Sequence, residues 1–139
     1  MLLVQHRSQE GVKLKGMRRL ILTLLVLASC GGPPAVPVYP RSVAGFTLQG
    51  EQVLTGTGYV PAAGLGRAVQ LTYQGSNPIQ VIVCETTGSS VAFEALQNWR
   101  AQDGKLAIHV GRYFVVAQSE KPDPAALNAF LTAFEKQLP

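Results

Sequence analysis

From Val43 onward apolar and polar residues alternate with a period of about two, the pattern of half-buried strands. Val43 to Gln49 places Phe46 and Leu48 on one face. Gln52 to Val60 carries Val53, Leu54 and Tyr59, loosened by Gly56 and Gly58, and Gly50-Glu51 between the two runs reads as a tight turn. After a loop from Pro61 to Gly66, Ala68 to Tyr73 sets Val69, Leu71 and Tyr73 against Gln70, Thr72 and Gln74. Gly75-Ser76-Asn77-Pro78 predicts a turn. Ile79 to Thr86 is β-branched on both faces, as a central strand is.

The period then lengthens. Ala92, Ala95, Leu96 and Trp99 recur at helical spacing, with Glu94, Gln97 and Asn98 polar, behind a cap at Gly88-Ser89-Ser90 and ahead of a stop at Asp103-Gly104. Lys105 to Val110 and Tyr113 to Ser119 predict a hairpin around Gly111-Arg112, glycine first as a type II′ turn requires. That register pairs Val110 with Tyr113, Ile108 with Val115, and Leu106 with Ala117. Asp123 reads as an N-cap with Pro124 at the first helical position, and Leu127, Phe130, Leu131, Phe134 and Leu138 form one apolar stripe. The order ββββαββα gives an α+β fold: a mostly antiparallel twisted sheet of about six strands with two packed helices.

The chain before Val43 has another character. Arg18-Arg19 precede the apolar run Leu20 to Leu27, followed by the small residues Ala28-Ser29 and then Cys30, the parts of a secretory signal peptide. Leu20 to Cys30 would rise about 16 Å as a helix, against about 30 Å of hydrocarbon, so a membrane span is disfavoured. Pro33, Pro34, Pro37 and Pro40 then predict an extended spacer of roughly 30 Å. The expected organisation is an N-terminal extension and signal peptide over 1–29, with translation starting at Met17. An anchor cysteine and tether follow over 30–42, and a single domain over 43–139.

Leu27-Ala28-Ser29-Cys30 resembles the lipobox of bacterial lipoprotein precursors at all four positions. The resemblance implies cleavage before Cys30 by a dedicated signal peptidase that recognises Leu27, Ala28 and Ser29. It also implies acylation of the Cys30 thiol, often with acylation of the new amino group. Two or three acyl chains anchor durably, whereas one is marginal. The implied location is the cell membrane or outer membrane, facing the periplasm or exterior. Gly31, where some groups carry a retention aspartate, tilts this toward the outer membrane.

Charge changes the picture once it is divided at Cys30. The formal net charge is +4, but Arg7, Lys13, Lys15, Arg18 and Arg19 against Glu10 account for all of it. Seven basic and seven acidic residues follow Cys30, so no electrostatic footprint for nucleic acid remains there. With Cys30 as the anchor, Cys84 is the sole remaining thiol and no internal disulfide forms.

Candidate chemistry is sparse. Cys84 and His109, the only thiol and imidazole after Cys30, raise a cysteine–histidine pair, but Cys84 lies in an apolar run where cysteine behaves as a small buried residue. No metal-ligand spacing is present and no metal or cofactor is expected. Gly56-Thr57-Gly58 and Gly64-Leu65-Gly66 lack the spacing and following helix of a phosphate loop. Tyr59, Tyr73, Trp99, Tyr113 and Phe114 are core candidates that could also line a groove, and the loop from Tyr59 to Arg67 is the first place to expect binding. The expectation is a membrane-anchored envelope lipoprotein, not an enzyme, whose small domain binds or scaffolds an envelope protein or small ligand. The alternatives are an envelope enzyme using Cys84 and His109, and a secreted soluble ligand-binding module.

Overall fold

Ala44 and Gly45 adopt φ of 49° and 84°, and two successive positive φ values make the tight turn that reverses a chain into a hairpin. The turn joins β1 (Ser42–Val43) to β2 (Phe46–Leu54). The turn expected at Gly50-Glu51 does not form. Gly50 has no positive φ, and β2 runs through it with a register shift between Leu48 and Gly50. A bulge of this kind lets glycine stay inside a strand. The strands expected at Val43–Gln49 and Gln52–Val60 are therefore a two-residue strand and one long one, and the chain from Thr55 to Pro61 leaves the sheet.

The structure, a computed structural model, describes residues 36–139, of which Pro37–Pro139 form one compact unit. The signal segment, the Met17 start, Leu27, Ala28, Ser29 and Cys30 lie outside the described residues. A 3₁₀ turn at Ala62–Gly64 leads into β3 (Leu65–Gln74), and β4 (Ile79–Thr86) follows. Then come α1 (Ser89–Asn98), β5 (Lys105–Val110), β6 (Tyr113–Ser119) and α2 (Pro124–Glu135). The six strands form one antiparallel sheet in the order β1-β2-β3-β4-β6-β5, an α+β fold. Val110 pairs with Tyr113, Ile108 with Val115 and Leu106 with Ala117, as the pattern predicts, and Gly111 has φ 52°.

Two helix boundaries differ from expectation. The N-cap of α1 is Gly88, with no side-chain cap; Ser89 and Ser90 are its first helical residues. Support comes instead from Thr86, whose hydroxyl lies 2.7 Å from the Gly88 carbonyl and 2.8 Å from that of Arg112. At the other end α1 stops at Asn98, before the expected Asp103-Gly104, so Trp99 opens an extended loop. The α2 start is as expected: the Ala126 amide donates to Asp123 Oδ1 at 3.1 Å.

The helices pack on opposite faces of the sheet. On one face α2 contributes Leu127, Phe130, Leu131 and Phe134 to a core with Val69, Leu71, Tyr73, Val81 and Val115. This helix touches β5 and β6 near one end of the strand order and β1 at the other, so the sheet curls around it. Gly75 is required here, because a Cβ would overlap the Phe46 ring. On the other face α1 places Ala92 and Ala95 over Cys84, Phe114 and Val116, with Val60 of the loop at the side.

The folded part begins earlier than Val43. Tyr39 is buried in the α2-side core, and the Tyr73 hydroxyl donates to the Pro40 carbonyl at 2.7 Å. The last residues assigned to the tether therefore belong to the domain. An apolar ring among prolines is read as spacer by composition, yet its burial decides the boundary.

Candidate functional site

The loop from Thr55 to Gly64 folds back over the α1 face of the sheet. Its contacts are specific: Thr57 Oγ1 lies 3.5 Å from Cys84 Sγ, and the Tyr59 ring meets Phe114 at 6.0 Å between centroids. The loop is pinned to the helix side by Thr87, whose amide donates to the Gly64 carbonyl at 3.0 Å. Between loop and helix lie two adjoining hollows of about 270 and 310 Å³. Tyr59, Ala95 and Asn98 wall both. Trp99, Arg100 and Gln102 close the first, and Pro61, Val91 and Glu94 the second.

Tyr59, expected in a binding loop, is thus central to the groove. Arg67 is not in it. Its register partner is Glu85, which in turn pairs with Tyr113, placing all three on the α2 face of the sheet. There Glu85 forms an ion pair with Arg112 at 2.7 Å, and Arg112 stands 5.8 Å from the centre of the Tyr113 ring. Buried Tyr39 nearby has its phenol pushed up to about 12, by burial first, partly offset by the Arg67 charge. The expected loop therefore splits across the sheet: its first residue lines the groove and its last belongs to the opposite face.

Cys84 and His109 share a cross-strand row with Phe114 directly between them. Two strand spacings separate them, roughly 9–10 Å of backbone, with an aromatic side chain in the way. Cys84 is fully buried; burial pushes its thiol up, and the Thr57 hydroxyl only partly offsets this. His109 instead leans on Phe93 of α1, ring centroids 5.3 Å apart. Nucleophilic pairing needs hydrogen-bond reach, and this arrangement does not supply it. Among the described residues no group of three or more His, Cys, Asp or Glu converges as metal ligands.

The expected aromatic set divides likewise, Tyr73 and Tyr113 to the α2 core and Tyr59, Phe114 and Trp99 to the groove side. Trp99 is the residue whose role the sequence hides. At helical spacing it reads as a core position, whereas beyond the end of α1 it lines the groove with its indole Nε1 buried and unpartnered. A buried donor without an acceptor costs about 1–3 kcal/mol. No family model matches this chain, and no curated protein or solved structure matches it.

Proposed function

We propose that this protein is a lipid-anchored lipoprotein of the bacterial cell envelope whose single α+β domain binds a ligand or partner and performs no catalysis. The step Leu27-Ala28-Ser29-Cys30 carries the reading, through its match to the lipobox. The groove between the 55–64 loop and α1 supports a binding role: it is concave, part aromatic and part amide, and walled by three elements of the fold. Phe114 between Cys84 and His109 weighs against the thiol–imidazole enzyme.

Intact mass of the protein from the membrane fraction of a lipoprotein-processing bacterium, beside a Cys30→Ala variant, tests the anchor. The expected mass is that of the chain from Cys30 to Pro139 plus acyl chains, absent from the variant. An unacylated cleaved chain in the soluble fraction would replace the anchored reading with the secreted module.

A further inference from the structure

Outside the contact of α1 with Val116, the same face of the sheet is open, with Ile82 half-buried. Two residues along β3 and β4 from Ala68 and Cys84, the rows become Gln52–Gln70–Ile82–Val116 and then Gly50–Thr72–Gln80–Gln118. Gln52, Gln80 and Gln118 are exposed and Gln70 and Thr72 half-buried. Among the described residues these side chains make no hydrogen bond to protein. Lys105, beside Gln118 on the edge strand, is the one charged residue in these rows. The groove lies on the same face and adds the amides of Asn98 and Gln102 beside Tyr59 and Trp99, with one acid and one base, Glu94 and Arg100.

We propose that groove and amide strip together bind an uncharged glycan chain. A sugar ring offers an apolar C–H face, which suits the Tyr59 and Trp99 rings, and hydroxyls that both donate and accept. Glutamine and asparagine amides likewise present donors and an acceptor on one planar group. Charge complementarity decides against other polymers. A nucleic acid or anionic lipid surface asks for a cluster of cations, whereas the groove and strip carry only Arg100 and Lys105, with Glu94 of opposite sign beside them. An apolar membrane or helix asks for contiguous apolar surface, which the glutamine rows interrupt.

The proposal rests on the groove being a binding site, and it is independent of the anchor because acylation of Cys30 is read by mass alone. The test uses the full chain in detergent, titrated with hexamers of N-acetylglucosamine and of glucose. Trp99 is the only tryptophan, so its fluorescence reports the groove directly. The expected result is a saturable fluorescence change, with heat in calorimetry. Combined Gln70→Ala, Gln80→Ala and Gln118→Ala should weaken binding at least tenfold with the unfolding midpoint unchanged. Tyr59→Ala, followed by calorimetry, should weaken it similarly. No fluorescence change and no heat with either oligosaccharide up to its solubility limit would overturn the proposal. So would binding that the glutamine variant leaves intact, or binding only to heparin or anionic vesicles.

Discussion

The two faces of the sheet are built from the same strands and solve different problems. The α2 face is closed and aromatic: Phe130 meets Phe46 edge-on at 5.5 Å and Tyr73 edge-on at 5.1 Å, and stacks on Phe134 at 5.8 Å. Aromatic pairs at such distances contribute beyond their buried area. The α1 face is covered by a helix whose buried positions are both alanine, flanked by a groove and then by bare glutamines. Small side chains bring α1 close to the sheet but bury little apolar area. Stability is thus concentrated on one face, leaving the other free to carry polar, solvent-facing chemistry at little cost to the fold.

Substitution should expose that asymmetry. Phe130→Ala removes the centre of the aromatic cluster and should cost about 3–5 kcal/mol. Leu96→Ala, half-buried on α1, should cost only about 1 kcal/mol. Urea midpoints for the two variants measure the contrast, and equal losses would break it.

Alkaline pH is the next lever and again acts on the α2 face. Burial raises the phenol pKa of Tyr39 to about 12 from 10.0 and raises that of Tyr73 further. A raised folded-state pKa means the unfolded chain releases its proton first as pH rises. The stability these phenols supply is complete below pH 10 and falls as pH climbs through the folded values, by about 1.4 kcal/mol per pH unit for each tyrosine. Unfolding midpoints between pH 8 and pH 11.5 should decline above pH 10, less steeply in Tyr39→Phe. The smallest effect belongs to the open face: Gln118→Ala should move stability by no more than about 0.5 kcal/mol. A larger loss would mean that the amide strip holds the fold together.

Much of the architecture is legible in the sequence. The β5–β6 register, the Asp123 cap and the α2 stripe follow from turn chemistry, capping and periodicity, all of which act over a few residues. What failed depends on distant partners. Gly50 reads as a turn because glycine permits one, yet the reversal occurs at Ala44-Gly45, where alanine gives no signal. An apolar stripe says that a helix packs, not on which face, so the placement of α1 and α2 on opposite sides was hidden. The groove was half legible. The loop pattern points to Tyr59, the strand that starts at Leu65 carries Arg67 out of the loop, and a helix that ends at Asn98 leaves Trp99 with a helical spacing it does not use. Glutamine strips give no motif at all, and only strand register gathers them.

The burial of Tyr39 also has a mechanical meaning. A pull on the chain ahead of Pro37 does not reach the sheet as a free peel. The load must first draw the Tyr39 ring out of the core, then break the Tyr73–Pro40 bond and the 2.8 Å bond from the Leu48 amide to the Arg41 carbonyl. Only then does it meet the two residue pairs that join β1 to β2. A ring lodged in the core resists extraction, whereas two strand pairs unzip one after the other. Tyr39 is therefore the latch that fastens the first described residues to the sheet.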